Sequence, residues 1–78
     1  MTLEILTPEK KLYSGDATSV TLPGVDGTFQ ILNRHAPIIS ALSKGTIKYK
    51  TGSETKTLTI SGGFAEALKN KVIVLVEG

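Results

Sequence analysis

The chain has 78 residues, nine Lys and Arg against seven Asp and Glu, one His and no Cys. That is material for a single domain, and a formal net charge of +2 is too weak to signal nucleic acid or an anionic membrane surface. With no Cys and one His there is no disulfide framework, no thiolate chemistry and no ligand set for structural zinc.

The start, Met1-Thr2-Leu3-Glu4, has no basic stretch ahead of an apolar core, so no signal peptide is expected. The longest purely apolar run is Val72 to Val76, and a helix needs roughly 20 residues to cross a bilayer. The expectation is a soluble, intracellular chain.

Thr, Val and Ile fill 22 of 78 positions, an enrichment that favours strands. Turn signals punctuate the chain every five to ten residues, beginning with Thr7-Pro8-Glu9 and Ser14-Gly15-Asp16. Strands are predicted at 3–7, 11–14, 16–22, 28–32, 38–42, 46–51, 54–60, 62–68 and 71–77. Between the third and fourth, Pro23-Gly24-Val25-Asp26-Gly27 reads as a tight turn. Before the fifth, Pro37 holds Ala36 extended and leaves His35 in a loop beside Asn33 and Arg34. In the sixth, Ile47 and Tyr49 share one side while Lys48 and Lys50 share the other. The seventh sets Leu58 and Ile60 against Thr55, Thr57 and Thr59, and Thr51-Gly52-Ser53 joins the two as a hairpin. Adjacent Gly62 and Gly63 argue against a helix over the eighth segment. The last, Val72 to Val76, alternates nothing and reads as a strand covered on both faces. Short strands at regular spacing predict an all-β sandwich or barrel.

Catalytic machinery is hard to find. Ser61 could act as a nucleophile only with a base, and His35 is the sole candidate. Ser61-Gly62-Gly63 matches no nucleophile elbow and is better read as a bend. The Pro23 to Gly27 turn lacks the Lys-Ser/Thr and the helix of a phosphate loop. The carboxylates are scattered, without an acid/base pair. Tyr13, Phe29, Tyr49 and Phe64 are not interleaved with basic residues on one strand face, as a nucleic-acid platform would require. The chain reads as a binding module and not an enzyme.

A composite pattern narrows the reading. Leu12-Tyr13-Ser14-Gly15, Gly27-Thr28-Phe29-Gln30-Ile31, His35-Ala36-Pro37-Ile38-Ile39 and Gly45-Thr46-Ile47 come in that order, completed by Ser61-Gly62-Gly63-Phe64-Ala65-Glu66 and Val72-Ile73-Val74-Leu75. This strongly resembles the N-terminal domain of the epsilon subunit of F-type ATP synthases, called delta in mitochondria. The resemblance covers essentially the whole chain. It implies a flattened antiparallel β-sandwich of two sheets, with about nine to ten short strands. It implies a non-catalytic rotor subunit of the central stalk, linking the gamma shaft to the membrane ring of c subunits so that proton or sodium flow is coupled to ATP synthesis. By position, the gamma-facing surface maps to Thr7, His35 and Ser40, and the ring-facing turn to Asp26, Gly27 and Thr28. Some members carry a carboxylate at the position of Thr28; here the nearby acid is Asp26. Longer members continue into a pair of helices that can inhibit ATP hydrolysis or bind ATP. This chain stops at Gly78, so a single domain without that pair is expected, either a naturally short form or a piece of a longer one. The further expectations are no cofactor or metal, no ATP binding, no nucleic acid, no direct membrane insertion, and a peripheral position on the cytoplasmic face of a bacterial inner membrane. The generic β pattern alone would also allow a stand-alone small-β module for peptide or nucleic acid.

Overall fold

The structure, a computed structural model, describes residues 1–77. Nine strands follow in order: β1 (Thr2–Leu6), β2 (Lys11–Asp16), β3 (Ser19–Gly24), β4 (Gly27–Leu32), β5 (Ile38–Leu42), β6 (Gly45–Thr51), β7 (Glu54–Ile60), β8 (Gly62–Leu68) and β9 (Lys71–Glu77). No helix occurs among the described residues. The expected all-β architecture is what the chain adopts. The largest shift in bounds is at β3, expected from residue 16 but starting at Ser19, because β2 runs on to Asp16 before the chain changes sheet.

Pairing runs β2-β1-β9-β8-β5-β3-β6-β7, with β4 on β3. The β5–β3 link is a single pair, Gly24 opposite Leu42. The strands therefore form two layers, sheet A (β2-β1-β9-β8-β5) and sheet B (β4-β3-β6-β7), joined by a narrow seam. Two backbone hydrogen bonds close that seam, Val25 N to Ala41 O at 3.0 Å and Ser43 N to Pro23 O at 2.8 Å. On the opposite side, side chains join the layers. Tyr13 of β2 meets Tyr49 of β6 at 4.8 Å between ring centroids, and the Lys56 ammonium stands 5.8 Å from the Tyr13 ring. One pairing departs from antiparallel: β1 runs parallel to β9, in register from Thr2 opposite Lys71 to Leu6 opposite Leu75.

The alternation read from the sequence sets the core. Sheet A contributes Leu3, Ile5, Ala65, Ala67, Val72 and Val74; sheet B contributes Val20, Leu22, Ile31, Ile47 and Ile60, all buried. Tyr49 is buried with them. The last strand corrects the sequence reading. β9 is central by hydrogen bonding, flanked by β1 and β8. Yet only Val72, Val74 and Val76 are buried; Leu75 is half exposed and Ile73 intermediate. An apolar run with no alternation hid a strand whose second face is open.

Three hairpins match their turn chemistry. Gly24 pairs with Gly27 around Val25-Asp26, and Gly27 takes φ 129°. Gly52 at φ 63° turns β6 into β7. Lys69 and Asn70, at φ 52° and 60°, turn β8 into β9, the pair of positive angles a two-residue loop requires. Gly63 has a different duty. A Cβ there would run into the Leu75 carbonyl oxygen and lie 3.1 Å from Val76 Cα, so β8 and β9 approach as closely as they do only with glycine at that point.

Candidate functional site

Three rows of side chains cross the outward face of sheet A, placed there by register. One reads Ile39, Glu66, Ile73, Glu4, Ser14 across β5, β8, β9, β1 and β2. The next reads Ala41, Phe64, Leu75, Leu6, Lys11. The third runs Leu68, Lys71, Thr2, Asp16. This face is apolar where it is most exposed. Ile39 is 68% exposed, Leu68 and Leu75 50% each, and Phe64 44%. A groove lined by Leu6, Thr7, Pro8, Phe64 and Leu75 continues it toward the β1–β2 turn. Contiguous exposed apolar surface of this kind on a small domain marks an interaction site. The charges in these rows are Glu66 among the apolar side chains and Glu4, Lys11, Lys71 and Asp16 toward the β2 edge. Glu4 is bridged by Lys11 at 3.4 Å and Lys71 at 3.7 Å.

The outward face of sheet B has another chemistry. Gln30, Thr21, Lys48 and Thr57 form one cross-strand row, and Leu32, Ser19, Lys50 and Thr55 form the next, with Leu32 exposed at the β4 end. Lys48, Lys50, Thr55, Thr57 and Thr59 are exposed. The tyrosine that nucleic acid would need for stacking is buried, on the side of Tyr49 that meets Tyr13.

The residues that the resemblance placed on a gamma surface occupy different parts of sheet A. Thr7 follows β1 and is held in a turn: its Oγ1 donates to Lys10 O at 3.2 Å and accepts from Lys10 N at 3.0 Å. His35 precedes β5 at the opposite end of the sandwich. Its Nδ1 donates to Ala36 O at 3.1 Å, while Nε2 is buried and has no hydrogen-bond partner among the described residues. Thr7 and His35 thus mark diagonal corners of one sheet. Ser40 lies midway along β5, directly opposite Ala65, which is 1% exposed. Register therefore turns Ser40 toward the interior side, half-buried, with its Oγ donating to Ala41 O at 3.1 Å. Its neighbours Ile39 and Ala41 are the ones that face outward. Asp26, Gly27 and Thr28 sit together, exposed, at the end of the β3–β4 hairpin beside the seam. Lys44, also exposed, follows β5 at the same end.

Sequence reasoning missed Ile39, Phe64, Leu68 and Leu75 as a group. A trace was available, since strict alternation fails where two faces are both apolar, in Ile38-Ile39 and Val72 to Val76. The Ser61 and His35 pairing considered for hydrolysis does not form. Ser61 N bonds Glu77 O at 2.9 Å at the seam end, whereas Arg34, beside His35, bonds Asn70 at the other. No group of three His, Cys, Asp or Glu that could hold a metal occurs among the described residues.

This arrangement has close relatives. The family model described as "ATP synthase, Delta/Epsilon chain, beta-sandwich domain" matches residues 1–78. The ATP synthase epsilon chain of Maridesulfovibrio salexigens is 44% identical over 75 residues, 96% of this chain but 53% of that protein. That of Chlorobium limicola is 43% identical over 76 residues, 96% of this chain and 86% of that one. That of Chlorobaculum tepidum is 43% identical over 77 residues, 97% and 88% of the two chains. The chain thus spans about half the length of one relative and most of the other two. The fold recurs in the central stalk and c-ring structure of Tetrahymena thermophila mitochondrial ATP synthase, with TM-score 0.85 and 20% identity over 99% of this chain and 63% of that chain. It recurs again in a Euglena gracilis mitochondrial ATP synthase structure, with TM-score 0.90 and 19% identity over 97% and 49% of the two chains. Matched along its whole length by that model, and at more than 40% identity by relatives it nearly spans, the chain belongs to the ATP synthase delta/epsilon family and corresponds to its β-sandwich domain.

Proposed function

We propose that this chain is a non-catalytic subunit of the central stalk of an F-type ATP synthase, seated between the gamma shaft and the ring of c subunits. The observation that carries the reading is the pair of outward faces: sheet A exposes Ile39, Phe64, Leu68 and Leu75 together, whereas sheet B exposes mainly Thr and Lys, with Leu32 at its β4 end. The apolar face is the one that takes the shaft, with Thr7 and His35 at its corners and Ser40 on the inner side of β5, behind the outward Ile39 and Ala41. The exposed Asp26-Gly27-Thr28 hairpin end, held to β5 by the seam hydrogen bonds, takes the ring.

Two contacts on one rigid sandwich give the coupling. Once the shaft is bound, ring contact is intramolecular, so each interface can be individually modest and the pair still firm. The domain supplies no chemistry of its own in this reading; it transmits torque between shaft and ring while ions move through the ring. It binds no ATP and does not enter the bilayer, working as a peripheral subunit on the cytoplasmic face of a bacterial inner membrane.

Reconstitution into vesicles tests this. Asp26→Lys should leave gamma binding intact and loosen the seat on the ring, lowering ion pumping more than ATP hydrolysis. Ser40→Arg should weaken gamma binding, again with pumping falling further than hydrolysis. Its thermal melt must match the parent's for the loss to count as a lost contact, because Ser40 is half-buried on the inner side of β5. Normal pumping by both variants would refute the placement of the two contacts.

A further inference from the structure

Two carboxylates in the rows across the outward face of sheet A, Asp16 and Glu66, form no ion pair among the described residues, and only Glu66 is set among apolar side chains. Glu66 of β8 stands directly opposite Ile39 of β5 and Ile73 of β9. Along its own strand the same side carries Phe64 and Leu68, 44% and 50% exposed. A shallow depression lined by Phe64, Glu66, Ile73 and Leu75 opens beside it. Glu4, on the far side of Ile73 in the same row, is bridged by two lysines, whereas Glu66 forms no ion pair among the described residues. The sheet has therefore set an unpaired carboxylate in the middle of its most apolar exposed surface.

We propose that Glu66 is the polar anchor of this docking face and receives an Arg or Lys side chain from the shaft subunit, carried within an apolar segment that covers Ile39, Phe64 and Leu75. The inference rests on the reading of this face as the shaft contact. In the free chain the carboxylate is hydrated. A partner that covers its four apolar neighbours removes that water, and a carboxylate buried without a counterion opposes the gain from apolar burial. The partner must bring a cation to that point. A segment with an apolar or acidic residue there is rejected, which makes Glu66 a specificity determinant. A second copy of this chain is a poor fit, because its cations on this face, Lys11 and Lys71, are already engaged by Glu4. A self-complementary pairing would also bring two patches bearing the same carboxylate together.

The experiment titrates the whole chain with the purified gamma subunit of the same enzyme by calorimetry, at low and high salt. The variants are Glu66→Gln, Glu66→Leu and, as a control on the apolar surface, Phe64→Ser. Glu66→Gln should weaken binding roughly 30-fold or more and flatten its salt dependence. Glu66→Leu should weaken it comparably, although it makes the face more apolar. Phe64→Ser should weaken binding while leaving the salt dependence in place. Unchanged thermal melts confirm that the variants fold, as expected for solvent-facing positions. If Glu66→Leu binds as tightly as the parent or tighter while Phe64→Ser still weakens, the anchor is refuted and the shaft contact stands. If the parent does not bind gamma, or none of the three variants changes binding, both fall. Dimerisation of the free chain in sedimentation, abolished by Phe64→Ser, would also overturn the anchor, since the face would then be made for a second copy.

Discussion

Sheets A and B are strands of similar length folded onto one core, yet the large exposed apolar side chains of their outward faces gather on sheet A. On sheet B the outward positions of β6 and β7 include Thr46, Lys48, Lys50, Thr55, Thr57 and Thr59, all exposed. On sheet A the corresponding surface includes Ile39, Phe64, Leu68 and Leu75, each 44% exposed or more. Thr keeps the β-branched shape that suits a pleated strand and adds a hydroxyl that water can bond. Sheet B is therefore finished in water. Sheet A has equally good strands, but its outward side chains gain only when something covers them. The lesson is that strand propensity and exposure are separate design variables. A domain this small can use one layer to hold itself together against solvent and the other to hold a partner.

The most disruptive way to break the contrast is at Gly63. Gly63→Ala forces a Cβ into the Leu75 carbonyl oxygen, so β8 and β9 must part. A loss of about 3 kcal/mol or more is expected, near the top of the usual range for single substitutions, and the apolar rows lose their alignment with it. Urea denaturation checks this, and a midpoint equal to the parent's would contradict the close approach of the two strands.

Next in size is the double change Ile39→Thr with Phe64→Thr, which keeps strand-forming residues and adds no charge beside Glu66. Both positions face outward, so stability should move by less than about 1 kcal/mol. Binding to gamma should fall by roughly 100-fold or more, since it loses two apolar anchors. A protein that melts normally and still binds would show that the partner sits elsewhere.

Val74→Ala tests the correction at β9. Val74 is fully buried although its neighbour Leu75 is half exposed. Removing two methyl-sized groups should cost about 1–3 kcal/mol, while Leu75→Ala should cost clearly less. Equal losses at the two positions, measured by denaturation, would restore the reading of β9 as covered on both faces.

The smallest expected effect is Thr57→Val. Fold stability should stay within about 0.5 kcal/mol, as for other surface substitutions, and gamma binding should not change. Weaker gamma binding, measured by calorimetry, would mean that sheet B is a contact face as well and that the contrast between layers is false.

Much of this could be read before the fold. The strand bounds at Glu54–Ile60 and Gly62–Leu68 were legible from periodicity and glycine placement. The turns at Asp26-Gly27 and Gly52 were legible because only a few residue types tolerate positive φ there. The family was legible from motifs spread along the whole chain.

What alternation cannot supply is which strands become neighbours. The sequence by itself determined that this chain makes short strands, where they bend, and that one side of each is apolar, because these are local properties of backbone sterics and side-chain period. Tertiary structure alone decided that β9 lies between β1 and β8, that Ile39 and Leu75 face outward where Ser40 and Val74 do not, and that Glu66 lacks the lysines given to Glu4. Those outcomes depend on pairings between residues far apart in the chain, and a shift of one residue in any of them would exchange the two faces of a strand.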